Sequence, residues 1–186
     1  MSQVAPQVVV TPSPGSRIVR SVDDIDFSSV FERHAADVYR FALYMSGNIQ
    51  TAEDVTAETF VRAWAARGRI RLSTVKAYLM MIARNLCRDV HRRPPHQSLP
   101  EGHDVPDHAA DQERSEDARQ QWRRVVRDLS GLSEVDRSIL LMATIEDMNY
   151  RAIGEAVGLS EAAVKVRIHR ARVHLNAIRW GREQRS

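Results

Sequence analysis

Two short stretches of this 186-residue chain concentrate positive charge at helical spacing. Arg84, Arg88, Arg92 and Arg93 stand against one acid, Asp89, and Lys165, Arg167, Arg170 and Arg172 fall in a stretch with no acid at all. Guanidinium and ammonium groups repeated on one helix bind anions, above all phosphate oxygens. Between the two lies an acidic stretch containing Glu101, Asp104, Asp107, Asp111, Glu113, Glu116 and Asp117. With a net charge of only +3, it is this distribution that implies two separate contacts with one polyanion.

Catalytic chemistry has little to stand on. No Gly-rich phosphate loop, nucleophile elbow or convergent carboxylate pair is present, so no catalytic residue and no cofactor is expected. Cys87 is the single cysteine, which excludes an internal disulfide and a multi-cysteine zinc site. His91, His96, His103 and His108 fall on a helix end and a linker without ligand spacing, so no metal is expected. His34 lies on an apolar helical face and reads as a packing histidine. Cys87 falls near the outward side of its helix and reads as a plain surface or interface thiol. Apolar runs such as Ser138 to Ala143 are too short for a bilayer, and the N-terminus lacks the pattern of a secretory signal. A cytoplasmic protein with no membrane insertion is expected.

The elements that must carry these charges are helices. Residues 1–24, with Pro6, Pro12, Pro14 and Gly15, show no apolar period and read as a disordered tail. Phe27, Val30, Phe31, His34, Val38, Phe41 and Met45 recur on one helical face, and Gly47-Asn48 ends that helix. Thr51, with Asp54 three residues on, looks like the cap of a second helix. That helix runs to about Ala66, with Ala52, Val55, Thr59, Phe60 and Ala63 turned toward a core. A third begins near Ser73 or Thr74, carries Val75, Tyr78, Leu79, Ile82, Leu86 and Val90 as its stripe, and stops at Pro94-Pro95. Residues 94–114 read as an acidic linker. Helix resumes over Ser115 to Leu129, Ser133 caps another, and Asn149 caps a short one, Tyr150 to Val157. Gly158 is a natural left-handed stop, and Ser160 caps the last helix, which runs into the Trp180 region. With no strand alternation, the fold class is all-α: two small helical domains, 25–93 and 115–180, joined by the linker, with a tail at 181–186.

Tyr150 to Leu175 is the most informative stretch: a short helix, a tight Gly158-Leu159-Ser160 turn and a longer basic helix make a helix-turn-helix. On the longer helix Val164, Ile168, Ala171, Leu175 and Ile178 form an apolar stripe. Lys165, Val166, His169, Arg170 and Val173 point the opposite way, and Arg167 and Arg172 flank the stripe. The outward face suits a DNA major groove.

Here the chain resembles a known family. NYRAIGEAVGLSEAAVKVRIHRARVHL, Asn149 to Leu175, is similar to region 4 of bacterial sigma factors. TAEDVTAETFVRAWAARGRI, Thr51 to Ile70, resembles region 2.2, and KAYLMMIARNLCRDVHRR, Lys76 to Arg93, resembles regions 2.3 and 2.4. The three occur in family order with no domain between the modules, as in the small extracytoplasmic-function group. The resemblance implies a transcription initiation factor that binds core RNA polymerase and promoter DNA. The region 2.2 helix would dock on the clamp helices of the polymerase largest subunit through Glu53, Asp54, Glu58, Thr59, Phe60 and Trp64. The opened −10 element would meet Arg67, Arg69, Arg71, Ser73, Lys76, Arg84, Asn85, Arg88, Arg92 and Arg93. The −35 element would meet Ser160, Lys165, Val166, Arg167, His169, Arg170 and Arg172. Further partners implied are the flap of the second largest subunit and an anti-sigma factor.

Tyr78 stands where the family often has Trp, Ala143 where some members carry a DNA-contacting basic residue, and Val166 where a small polar residue is common. The third helix lacks the aromatic cluster that larger sigma factors use for melting, which implies weaker melting and a stricter promoter. Two other readings remain: a free-standing helix-turn-helix regulator acting without polymerase, and a protein-interaction adaptor whose basic helices are solvated surface. The acidic-aromatic helix Glu53 to Trp64 has no clear task in the regulator reading.

Overall fold

The computed structural model describes residues 27–67, 75–92 and 112–184. These residues form seven α-helices: α1 (Phe27–Ser46), α2 (Ile49–Ala65), α3 (Val75–Arg92), α4 (Gln112–Ser130), α5 (Glu134–Thr144), α6 (Tyr150–Val157) and α7 (Glu161–Glu183). The expected N-terminal tail, the Pro94-Pro95 stop and most of the acidic linker lie outside the described residues, as do Arg69, Arg71, Ser73 and Arg93. No helix among the described residues is long and apolar enough to cross a membrane.

Local chemistry explains most boundaries. Gly47 takes φ +68° and donates its N–H to the Leu43 carbonyl at 2.8 Å, a left-handed stop that costs a residue without Cβ little. The chain turns at once into α2, and the cap is Asn48, not Thr51: the Asn48 side chain accepts from the Thr51 N–H at 2.8 Å. Asn is as good a cap as Thr and sits three residues earlier, so Thr51 becomes helical, and the Asp54 carboxylate accepts from Gln50 at 3.3 Å. Ser133 and Asn149 cap α5 and α6 as expected, accepting from Asp136 N–H at 3.1 Å and Ala152 N–H at 2.9 Å. Ser160 accepts from Ala163 N–H at 3.2 Å to open α7. The fourth helix starts at Gln112, three residues before the expected Ser115 and inside the expected linker.

Helices α1, α2 and α3 pack on one another, and α5, α6 and α7 form a second group. In the first, Val38, Phe41, Ala42, Met45, Ala52, Val55, Ala63, Leu79, Met80 and Ala83 are buried. Each large one contributes about 1.5–3 kcal/mol of burial. In the second, Ile139, Leu141, Met142, Ile153, Val164 and Ile168 fill the centre. Two expected core positions face out instead. Phe31 is 47% exposed and Val90 43%, although the Phe31 ring meets Phe60 edge-on at 4.8 Å.

The two groups also pack together. Helix α3 lies against α6 and α5, and α1 against α5 and α4. A Cβ on Gly47 would fall 2.9 Å from the Val126 Cγ1, so α4 rests on the α1–α2 turn where only glycine fits. This packing buries both sides of α3. Met80, Ala83 and Cys87, all outside the expected stripe, are buried with it.

Candidate nucleic-acid interface

The helix-turn-helix has the geometry that its sequence implies. Helix α6 ends at Gly158, which is left-handed at φ 73°, ψ 36° and donates its N–H to the Gly154 carbonyl. The Leu159 N–H reaches the same carbonyl at 3.0 Å, closing the turn. The Val164, Ile168 and Ala171 stripe of α7 is buried, with Leu175 and Ile178 partly so. The opposite face is solvent-exposed: Lys165, Val166, His169, Arg170, Arg172 and Val173. Arg167 sits at the edge of the stripe, where its Nη1 donates to Asp136 Oδ1 at 2.7 Å. That contact ties α7 to α5 and sets Arg167 apart from the outward cations. Burial raises the Asp136 pKa, but the Ser133 hydroxyl and Arg167 outweigh it and hold the carboxyl below its usual range.

On α2, Glu53 and Asp54 are exposed, and Glu58 accepts from Arg62 at 2.7 Å. Trp64 is 50% exposed, with its ring 5.1 Å from Phe27 and the Arg67 guanidinium 4.2 Å above it, a cation–π contact. Arg67 also donates to the Trp64 carbonyl at 3.2 Å. Thr59 is fully buried, on the core face where the helical period put it, and not available for the surface contact that the resemblance implied; its hydroxyl donates to the Val55 carbonyl at 2.6 Å. It follows Val55 by one helical turn and so shares that inward face. Phe60 is also buried, meeting Phe27 and Phe31 edge-on. The outward face of α2 therefore carries Glu53, Asp54, Val61 and Trp64.

On α3, Arg88 and Asn85 are partly exposed and Arg92 lies in the last turn. Lys76 and Arg84 are not on an open face. Arg84 is buried. Its Nη2 donates to Glu134 Oε2 at 3.1 Å and its Nε lies 2.9 Å from Glu134 Oε1. Lys76 donates to the Glu146 carbonyl at 2.7 Å and pairs with Asp37 at 2.8 Å and the Glu146 carboxylate at 3.3 Å. Cys87 corrects the expectation of an outward thiol: it is 1% exposed, and its pKa is pushed up to about 12, by burial first and then by Glu134. His34 is half-buried near Asp37, and burial lowers its pKa, as suits a packing histidine. Sequence reasoning missed Glu134, Glu146, Arg40 and Asp37.

Comparison with known proteins places these helices. Residues 30–94 match the family model of sigma-70 region 2, and residues 123–175 match that of sigma-70 region 4. The ECF RNA polymerase sigma factor SigE of Mycolicibacterium smegmatis is 31% identical over 80% of this chain and 60% of its own. SigG of Mycobacterium tuberculosis is 29% identical over 83% of this chain and 49% of its own. The RNA polymerase sigma factor CarQ of Myxococcus xanthus is 30% identical over 77% of this chain and 83% of its own. The chain thus spans about half the length of SigG and three-fifths of SigE, but most of CarQ. Among solved structures, CnrH in complex with the cytosolic domain of CnrY is 26% identical, with a TM-score of 0.64 over 82% of this chain and 86% of that one. The sigma factor RpoE of Bartonella quintana, bound to the anti-sigma factor NepR, shares the fold at 20% identity and a TM-score of 0.63, covering 82% of this chain and 95% of that one. The chain belongs to the sigma-70 family, in its extracytoplasmic-function branch.

Proposed function

We propose that this protein is a transcription initiation factor that binds core RNA polymerase and confers recognition of −35 and −10 promoter elements. The observation that carries this reading is the pairing, in one chain and in family order, of an acidic-aromatic α2 with an exposed basic face on a helix-turn-helix. Helix α2 would meet the clamp helices of the polymerase largest subunit through Glu53, Asp54, Glu58 and Trp64. The exposed face of α7 would lie in the −35 major groove, with Lys165, Val166, His169 and Arg170 toward bases and Arg172 toward phosphate. Helix α3 and the basic loop before it would hold the opened −10 strand. Unpairing costs a few kcal/mol per flipped base, and stacking returns about 1–3 kcal/mol per base; Tyr78 is the aromatic on α3 available for that. The flap of the second largest subunit and an anti-sigma factor are further proposed partners. Chain 25–93 would work as the region 2 domain and 115–180 as the region 4 domain, in the cytoplasm, with no catalytic chemistry of its own.

The test is run-off transcription with core polymerase and genomic fragments, set beside capture of core polymerase. Specific transcripts and a stable complex are expected. Promoter binding without polymerase would favour a free-standing regulator. Asp54→Lys with Glu58→Lys should weaken holoenzyme assembly with helicity intact. Unchanged affinity would remove α2 from the polymerase contact.

A further inference from the structure

The exposed face of α7 is not uniformly polar. Taking Val166 as the reference at about 100° per residue, Val173 falls within about 20° of it and Ala162 within about 40°. All three are exposed, Val166 by 50% and Val173 by 55%. The buried stripe of Val164, Ile168 and Ala171 lies on the far side. The middle of the outward face is therefore a line of methyl groups, and the charges stand beside it. Lys165 and Arg172 lie roughly 100–120° to one side and Arg170 about 40° to the other, with His169 between Lys165 and the line. Glu161, the acid of the first turn, is turned about 140° away.

Single exposed valines are ordinary on a protein surface. Here two align with an alanine in the centre of a basic face, and none of the three belongs to the core. Valine also forms helix less readily than alanine or lysine, so neither burial nor propensity accounts for Val166. A helix–helix seam would need apolar residues at alternating steps of three and four, but His169 and Asn176 hold the intervening positions. A DNA major groove fits better. Its walls are anionic phosphates and its floor is base edges, and thymine is the base that sets a methyl group on that floor. A methyl line flanked by cations meets both.

We propose that α7 reads thymine in the −35 element by its methyl group, with Val166 as the residue that meets it and Ala162 as the small neighbour that lets the helix approach. The inference rests on α7 lying in the −35 groove. The first turns of a recognition helix contact base edges, which selects Ala162 and Val166 over Val173. These two are about 6 Å apart along the helix, or roughly two base-pair steps of about 3.4 Å, so the contact covers one or two neighbouring A·T pairs. The Val166 side chain has no donor or acceptor. Its discrimination is between a pyrimidine that carries the methyl group and one that does not.

The experiment uses holoenzyme assembled from the full chain and core polymerase, in equilibrium competition on a promoter recovered by run-off transcription. Each −35 thymine is replaced in turn by deoxyuridine, which removes the methyl group and leaves every hydrogen-bonding atom in place. Burial of one such carbon changes affinity about fourfold. Wild type should therefore favour thymine by about fourfold at one or two −35 positions and show no preference at spacer thymines. In Val166→Ser that ratio should fall to about one at the same position. Val166 is half exposed, so the variant should keep the wild-type Tm. Equal affinity of wild type for thymine and deoxyuridine throughout the −35 element overturns the proposal, as does a thymine preference that survives in Val166→Ser. Affinity unchanged on scrambling the whole −35 element would instead sink the placement of α7 in that groove.

Discussion

Gly154 offers the sharpest test of the helix-turn-helix geometry. It sits inside α6, and helix propensity alone makes Gly154→Ala stabilising by about 1 kcal/mol. The structure reverses the sign. A Cβ there would lie 2.5 Å from the Leu159 carbonyl oxygen and 3.5 Å from its carbon. Carbon–oxygen contacts settle near 3.3 Å, so the turn must move by about 0.8 Å. The obstacle is backbone, and it belongs to the turn whose Leu159 N–H already bonds the Gly154 carbonyl at 3.0 Å. Overpacking costs about 1–3 kcal/mol. At the top of that range, less the propensity gain, the net loss is about 2 kcal/mol, or roughly 4–8 °C in Tm for a chain of this size. Because the same turn sets the angle between α6 and α7, affinity for −35 duplex should fall even at temperatures where the variant is fully folded. Gly158→Ala is the companion: nothing lies within 4 Å of its added Cβ, so it carries only the left-handed strain of about 1–2 kcal/mol and should keep the reading geometry. Thermal unfolding of both variants, with duplex binding at 25 °C, decides the matter. An unchanged or raised Tm for Gly154→Ala would refute the close-approach argument.

Other outcomes follow from single contacts. Arg170→Ala should relax preference at one or two −35 positions, by about 1–3 kcal/mol for a lost bidentate base contact, whereas Arg172→Ala should weaken binding to all sequences alike and reduce the salt slope by about one unit; titrations over single-base variants at two salt concentrations separate the two. Asp136→Asn should cost about 1 kcal/mol, since it weakens both the Ser133 cap and the Arg167 pair. The Asp136 pKa is lowered in the fold, so its contribution is present above the unfolded value near pH 4 and lost as pH falls through the folded one; the variant's urea midpoint should lose that part of its acid dependence, and an identical acid limb would count against the clasp. Burial pushes the Cys87 thiol pKa up to about 12, so little thiolate is present at pH 8; native protein should therefore resist mild peroxide that modifies the urea-unfolded chain at once, and equal rates would contradict the burial.

Much of this molecule is written locally. The caps at Ser133, Asn149 and Ser160, the left-handed Gly158 and the α7 stripe of Val164, Ile168 and Ala171 depend on neighbours within a turn or two, so residue type and spacing determine them. The outward face of Lys165, Val166, His169 and Arg170 follows from the same periodicity. The α2 cap went to Asn48 because two good capping residues three apart compete, and the tight Gly47 turn brings the earlier one into place. What only the tertiary structure decides is which polar residues lose their water. Glu134, Glu146, Arg84 and Lys76 look like surface charges along the chain, and Cys87 like an outward thiol. Segments more than a hundred residues apart at their extremes, as Arg40 and Glu146 are, meet, bury Glu146, Arg84 and Cys87, and partly cover Glu134 and Lys76. No periodicity within one helix encodes a partner from another module: α3 shows one apolar stripe in sequence, yet its second side is covered through paired charges, small Ala83 and the thiol of Cys87.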